Sequence, residues 1–345
     1  MKHTLVSCAF ALIAVVCLVS CGKPKQTLHI YNWGDYLADS VVEKFEKEFN
    51  CEVKVDVFDS NEAMYAKLKA GAGGYDIIVP SSYMAKTMYE QGMLSDIDMT
   101  LLPNVKKYFD KSYEDLVIDK VMQYTVPYFV SFTGIGYDPD KVKDFDPSWH
   151  MFEKPEIAKR CSLLNDQRET IGAALLTLGY DVNSTDQAQI DAAVELVNKW
   201  KKNIAKFEVD DAKRALATGE FYLIHNYSGD MIQVSMEKPS IKFVIPKEGG
   251  TVTFDCFAIT STTQNSKLAH DFIDFMYRPE ISAENMDEIG YVSPNTEAVK
   301  QVSDEMKNNP VFNLPAVERA KCKPLLDLGP DNEKYTKAWD KIREE

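Results

Sequence analysis

The hydrophobic and polar positions in the first part of the chain follow two alternating periods. "TLHIYNW" and "EVKVDVF" are rich in apolar and β-branched residues, which is typical of strands. Between them, "DSVVEKFEKEF" spaces its apolar residues three and four positions apart, which predicts a helix with one buried face. "YDIIVPSS" follows as a buried strand. This alternation predicts an α/β fold with a mainly parallel, doubly wound sheet.

A further helix is predicted between the second and third of these strands. The segment "DSNEAMYAKLKAG" begins at Asp59, has Glu62 three residues later and reaches Gly71 at its end. A polar residue before the first turn, a glutamate three positions on and a closing glycine are typical of helix ends. We therefore predict that Asp59 and Glu62 cap this helix.

The second half of the chain repeats the order of strand, loop and helix. "RCSLLNDQRETIGAALLTLGY" has this order, and the strand in "EFYLIHNYSGDM" runs into a polar loop. We predict that the chain crosses to a second domain at 124–137 and returns after the apolar stretch 241–260. With 345 residues, of which 45% are hydrophobic, the chain can form two cores.

The N-terminal segment predicts export. An apolar run from Leu5 to Val19 is too short for a comfortable membrane span, and a small residue followed by Cys21 at its end is typical of a bacterial lipoprotein signal. We predict a signal peptide over 1–20 and a lipidated tether over 21–26. The lipid on Cys21 would hold the mature protein at the membrane in the periplasmic space.

The net charge and the absence of known catalytic motifs restrict the possible classes of function. A formal net charge of -14 argues against a nucleic-acid partner and is compatible with a small cationic ligand. The motifs of nucleophile elbows, zinc helices and phosphate loops are absent from the sequence, so neither an enzyme nor a cofactor or metal site is expected.

Four cysteines downstream of the tether, Cys51, Cys161, Cys256 and Cys322, are scattered. They could pair or stay free, and buried free thiols are favoured.

Carboxylates and aromatic residues cluster on the loops that leave the predicted strands. Ligands bind at the carboxyl ends of strands in such sheets. The residues in question are Trp33, Asp35, Tyr36, Tyr83, Asp166, Glu169 and Asp255. Buried carboxylates need a cationic partner, and aromatic faces pack against both ammonium groups and methylenes. This set predicts a slot for a linear alkyl polyamine.

Several of these residues also have a purely structural interpretation. Trp33 and Tyr36 could close a core beneath the sheet. Asp166 could cap the helix that begins near Arg168, and Glu169 could pair with that arginine or face solvent.

The sequence also resembles a known family over nearly all of the mature chain. The stretches "IYNWGDYL", "SNEAMYAKLKAGAGGYDIIVPSSYM", "LLNDQRETIGAALLTLGY", "IPKEGGTVTFD" and "EIGYVSPN" are similar to those of bacterial periplasmic spermidine/putrescine-binding proteins. The resemblance implies a two-lobed binding-protein fold joined by hinge crossings, a monomer, and an ABC transporter permease as partner. The lobes are predicted at 27–133 plus 253–298 and at 137–250 plus 302–345.

The resemblance also implies roles for individual residues. It assigns ligand contacts to Trp33, Asp35, Tyr36, Ser81, Tyr83, Asp166, Glu169, Asp255 and Tyr291. His225 and Thr253 stand where the family has a tryptophan and another aromatic residue, and Leu325 stands where it can have a glutamine. We include His225 and Thr253 in the predicted site. Their identity leaves the choice between putrescine and spermidine open.

Two other classes of function remain open at this point. A two-lobed receptor could carry ferric ion, a sugar or another organic cation. A glycosidase could use a pair of acids such as Asp166 and Glu169.

Overall fold

A computed structural model describes residues 25–344 of the chain. The predicted signal peptide, Cys21 and most of the predicted tether lie outside these residues. The strands are β1 (Gln26–Trp33), β2 (Cys51–Phe58), β3 (Ile77–Ile78), β4 (Val126–Tyr137), β5 (Cys161–Leu163), β6 (Lys206–Phe207), β7 (Leu223–Tyr227), β8 (Lys242–Val244), β9 (Thr251–Ile259) and β10 (Lys323–Pro324).

The α-helices lie singly or in succession between these strands, and one follows the last strand. They are α1 (Asp39–Phe49), α2 (Asn61–Lys69), α3 (Ser82–Glu90), α4 (Pro103–Tyr108), α5 (Gln167–Thr177), α6 (Gln187–Lys201), α7 (Asp210–Thr218), α8 (Ser228–Glu237), α9 (Ser266–Met276), α10 (Pro279–Ile289), α11 (Asp304–Asn308), α12 (Ala316–Arg319) and α13 (Asn332–Glu344). The predicted α/β class is confirmed.

The sheet runs in the order β2-β1-β3-β9-β4-β7-β5-β6, with β10 beside β9 and β8 beside β4. β1 is parallel to β2 and β3, and β5 is parallel to β6 and β7, whereas β4 is antiparallel to both β9 and β7. We call the part around β1, β2, β3 and β9 the first lobe, and the part around β5, β6, β7 and β8 the second lobe.

Strand β4 belongs to both lobes. Its residues 126–132 pair with β9, and its residues 133–137 pair with β7 and β8. The predicted residue bounds of the lobes stay a prediction, because this strand continues through both parts of the sheet.

The two lobes have aromatic cores and also contact each other directly. Phe45 and Phe272 pack edge to face in the first lobe, and Trp149 and Trp200 are fully buried in the second. Gly229, in the first turn of α8, lies against the ring of Tyr291, and a Cβ atom there would lie 2.3 Å from that ring. This glycine therefore permits the close approach of the lobes at one side of the cleft.

The first turn of α2 differs from the prediction. Ser60, and not Asp59, is the N-cap, and its hydroxyl accepts a hydrogen bond from the backbone N–H of Ala63. Because the serine satisfies this N–H group, the helix begins one residue later than predicted and Glu62 is not needed as a capping residue.

The four cysteines Cys51, Cys161, Cys256 and Cys322 are buried and carry free thiols, as favoured from the sequence. Across residues 25–344, no helix combines the length and the apolar character needed to cross a membrane.

Candidate functional site

A cavity of about 990 Å³ lies between the two lobes. The last residues of β1 and β7 and the loops that follow β3 and β5 contribute to its walls, as expected for the carboxyl ends of strands. It is lined by all but one of the predicted site residues, namely Trp33, Asp35, Tyr36, Ser81, Tyr83, Asp166, Glu169, Thr253, Asp255 and Tyr291.

The exception is His225, which does not reach the cavity. It is fully buried in the middle of β7, where its ring lies 4.6 Å from that of Trp149. Burial lowers the pKa of His225 to about 3, so the imidazole is neutral. Tyr227, two residues further along, ends the strand and lines the cavity instead. Contrary to the prediction, His225 does not line the cavity, because β7 continues to Tyr227 and the imidazole lies in the core.

Asp255 forms the polar centre of the first lobe's wall. Its two carboxylate oxygens accept hydrogen bonds from the hydroxyls of Tyr36 and Ser81, both at 2.7 Å. Burial raises the pKa of Asp255 to about 6, and the negative charge of Asp166 adds to this increase, whereas the two hydroxyl donors oppose it. A cation in the cavity would restore the charged form.

Asn61 fixes the hydroxyl groups around Asp255. Its amide donates to the hydroxyls of Ser81 and Tyr83 at 3.1 Å each, and its carbonyl accepts from the backbone N–H of Ser81 at 3.0 Å. Asn61 is the first residue of α2 and is buried. The sequence analysis did not identify it, because an asparagine at a helix start is normally explained by capping alone.

Asp166 caps a helix and also lines the cavity. One of its carboxylate oxygens accepts the backbone N–H groups of Arg168 and Glu169, at 2.8 and 3.0 Å, and so caps α5. The other oxygen accepts a hydrogen bond from the Tyr227 hydroxyl at 3.3 Å and faces the cavity. Burial raises the pKa of Asp166, although both backbone donors lower it.

Glu169 lies one turn into α5 and is almost completely buried. Its carboxylate accepts a hydrogen bond from the Thr251 hydroxyl. Burial is the main cause that raises the pKa of Glu169 to about 8, and the neighbouring Asp166 is the second. The terminal nitrogens of Arg168 instead donate to Leu326 and to two asparagine side chains, so the guanidinium is directed away from Glu169.

Glu62 is an acidic residue of the cavity that the sequence analysis interpreted as a helix cap. Its carboxylate accepts a hydrogen bond from Gln167 of the second lobe at 3.1 Å. Burial, followed by the charge of Asp166, raises the pKa of Glu62 to about 7. Four of the acidic residues that line the cavity, Glu62, Asp166, Glu169 and Asp255, therefore have a pKa that burial raises.

Aromatic rings form the apolar walls of the cavity. The ring of Tyr36 packs edge to face against Tyr291 at 4.6 Å, and Trp33 packs against Phe58 at 4.4 Å. Thr253 and Leu325 also line the cavity, so these two positions contribute small or aliphatic contacts in place of a ring or an amide. Such walls suit methylene groups better than polar solutes.

One lysine also reaches the cavity. Lys213 of α7 lies near Asp35 and Asp230, and all three line it. The sequence analysis passed over Lys213 and Asp230, because a lysine on a short amphipathic helix and an acid in a first helical turn are ordinary surface features. Among the described residues, no group of three or more His, Cys, Asp and Glu side chains is arranged to hold a metal ion.

Comparisons with known proteins agree with this geometry. The putrescine-binding periplasmic protein of Pseudomonas aeruginosa is 34% identical, over 97% of this chain and 96% of its own. A putrescine-binding periplasmic protein of Escherichia coli is 35% identical, over 92% of both chains.

Solved structures match the fold closely. A putative spermidine/putrescine ABC transporter protein of Listeria monocytogenes superimposes with a TM-score of 0.88 at 33% identity, over 92% of this chain and 99% of its own. A lipoprotein of Treponema pallidum gives a TM-score of 0.84 at 32% identity, over 93% of this chain and all of its own.

The family model for bacterial extracellular solute-binding proteins matches residues 40–313. This match covers most of the chain. The chain therefore belongs to the bacterial extracellular solute-binding protein family, which confirms the predicted two-lobed fold and a role in binding rather than in catalysis.

Proposed function

We propose that this protein is an extracytoplasmic receptor for putrescine, spermidine or both, and that it delivers its ligand to an ABC transporter permease. The observation that carries the proposal is the set of four carboxylates, Glu62, Asp166, Glu169 and Asp255, in one cavity with aromatic walls. Relatives that cover nearly the whole chain are named for binding putrescine or spermidine, which supports the same ligand class.

The charge of the cavity favours a ligand with more than one ammonium group. Buried carboxylates cost free energy unless a cation or hydrogen-bond donors compensate them, and the raised pKa values of Glu62, Glu169 and Asp255 express this cost. An ammonium group supplies charge-assisted hydrogen bonds to such carboxylates. A diamine or triamine supplies several of them on one flexible chain.

The carboxylates divide between the lobes in a way that suits a linear ligand. Asp255 belongs to the first lobe, and Asp166 and Glu169 belong to the second. In our proposal one amine binds Asp255 beside Tyr36 and Ser81, while another binds the acids of the second lobe together with Glu62. The ligand would thus connect the two lobes and stabilise the closed form.

The rings would hold the methylenes between these amines. Trp33, Tyr36, Tyr83, Tyr227 and Tyr291 would form the walls, and Asp35 would lie at the rim, where its side chain is 83% exposed. We further propose that Cys21 carries a lipid and that the receptor is a monomer. Both proposals are supported by the N-terminal sequence and by the resemblance alone.

A thermal-unfolding panel would test the ligand class. We expect putrescine and spermidine to raise the unfolding temperature, because each binds only the folded protein. Butylamine has the same number of carbon atoms as putrescine but one amine, and butanediol has no charge, so both should have little effect. Stabilisation by a sugar or by ferric ion, with no effect of any polyamine, would overturn the proposal.

A further inference from the structure

Lys213 places its side-chain nitrogen at the wall of the proposed ligand cavity. Its side chain is 19% exposed, and its Nζ atom lies 3.6 Å from Oδ1 of Asp230 and 4.0 Å from Oδ2 of Asp35. Asp230 itself is buried in the first turn of α8. The lysine ammonium therefore lies beside a buried carboxylate of the cavity, as a ligand amine would.

A second contact holds the lysine in this position. Its ammonium donates to the side-chain oxygen of Gln233 at 2.9 Å, and the amide nitrogen of Gln233 donates to the backbone oxygen of Ile289. Gln233 belongs to α8 and Ile289 to α10, so the glutamine bridges two elements. Lys213 is consequently fixed by neighbours rather than extended into solvent.

The two ends of the cavity differ in charge as a result. Tyr291 donates to Asp230 at 3.1 Å and packs against Tyr36, which in turn donates to Asp255. Asp230 with Lys213 thus lies on one side of Asp255. At Asp166, Glu169 and Glu62, by contrast, no lysine or arginine of the described chain forms an ion pair within 4.0 Å, although the charge of Arg168 lowers the pKa of all three and Arg343 also lines the cavity.

We propose that Lys213 determines ligand length by occupying, with its own ammonium, the position of a ligand amine beside Asp230. A third ligand amine at this end would meet a like charge, which opposes binding. The slot then offers two amine positions, at Asp255 and at the end that contains Asp166, and prefers a diamine to a triamine. This inference rests on the proposed polyamine function and specifies its substrate.

Replacing the lysine by an uncharged residue of similar length tests the inference. In calorimetric titrations of the purified protein, K213M should increase the ratio of spermidine affinity to putrescine affinity by about tenfold or more, because Asp230 then accepts a ligand ammonium. K213R keeps the charge and should keep the wild-type ratio.

A matched control comes from another lysine of the second lobe. Lys238 pairs with the buried Asp138 at 2.8 Å and does not line the cavity, so K238M should leave the ratio unchanged. Adding D230N to K213M should remove the gain for spermidine. If K213M does not fold, K213Q provides the same test.

The results of these experiments distinguish the proposed role of Lys213 from the proposed polyamine-binding function. A K213M or K213Q protein that folds and keeps the wild-type ratio would overturn the role of Lys213 while leaving polyamine binding intact. A wild-type protein that binds neither amine would overturn the proposed function, and this inference with it.

Discussion

Tyr227 and His225 show how two neighbours on one strand can have different roles. Tyr227 ends β7, lines the cavity and donates a hydrogen bond to Asp166, whereas His225 lies in the core against Trp149. A strand presents both residues to the same side, so their spacing alone does not separate them. The position of the strand's end decides which side chain reaches the cavity.

Substitutions of Tyr227 and His225 should therefore differ in their effect on the affinity for putrescine. Tyr227→Ala should weaken putrescine binding by about 1 to 2 kcal/mol, because a wall ring and a donor to Asp166 are lost. His225→Leu should leave the affinity unchanged. It should also keep or raise the unfolding temperature, because neither ring nitrogen has a hydrogen-bond partner in the described structure. Calorimetry measures the affinity of both variants, and thermal unfolding measures their stability. A loss of putrescine affinity in His225→Leu but not in Tyr227→Ala would show that His225, and not Tyr227, contributes to binding.

Glu62 shows that a local capping pattern does not reveal a contact between the two lobes. Its spacing from Asp59 satisfies a capping pattern, and the pattern cannot show that Ser60 takes the cap instead. Once the helix begins at Asn61, Glu62 faces the second lobe and accepts a hydrogen bond from Gln167. The contact depends on how the lobes approach each other, which no local pattern specifies.

Among the elements, helix α5 places two acidic residues, its cap Asp166 and Glu169 of its first turn, at the cavity. Asp166 caps the helix, and the helix in turn holds Glu169 against Thr251. The sequence predicted this strand, loop and helix because the apolar stretches on either side of the loop are long. Local pattern alone could not show that one carboxylate group both caps the helix and lines the cavity, since capping alone explains an aspartate there.

The two roles of Asp166 can be separated by substitution. Asp166→Asn keeps a cap but removes a charge, so it should weaken putrescine binding by about 2 to 5 kcal/mol with no loss in unfolding temperature. Asp166→Ala should lose the same binding and also about 1 kcal/mol of stability. Calorimetry and chemical denaturation measure the two effects.

A matched control for the cap is available on the next helix. Asp186 accepts hydrogen bonds from the backbone N–H groups of Ala188 and Gln189 at the exposed start of α6. Asp186→Ala should cost a similar free energy of unfolding and leave putrescine binding unchanged. Full-strength binding by Asp166→Asn would mean that this residue serves only the helix.

On the scale of the whole molecule, the buried acids of the cavity make the free energy of unfolding depend on pH. The pKa values of Asp255, Glu62 and Glu169 in the unliganded protein are about 6, 7 and 8, all above those of exposed carboxyl groups. Because the folded state binds these protons more tightly than the unfolded state, the stability that they contribute is complete at acidic pH. It is lost as the pH rises through about 6 to 8.

Ligand binding should show the opposite dependence on pH. A polyamine favours the charged carboxylates, so binding at neutral pH should release protons, and the affinity should rise from about pH 6 to about pH 8. Calorimetry in buffers of different ionisation enthalpy counts the released protons, and Glu169→Gln should reduce their number. A binding enthalpy that is independent of the buffer would contradict this account.

More of the fold than of the candidate site could be predicted from the sequence. The alternation of strand and helix near the N-terminus, and the loops at the strand ends, follow from local patterns of apolar residues. Lys213 could not be found in this way, because its ammonium enters the cavity only after α7 packs beside α8. Residues that tertiary packing brings together cannot be identified from local patterns.

The most direct measurement for the central claim is a calorimetric titration of putrescine and spermidine into the wild-type protein and Asp255→Asn, at a pH above about 6, where Asp255 is charged. We predict one-to-one binding by the wild type. In the variant, binding of each ligand should weaken by about 2 to 5 kcal/mol, the scale for removing one partner of a buried charge pair. Equal affinity of the two proteins, or no binding of either amine by the wild type, would contradict the account.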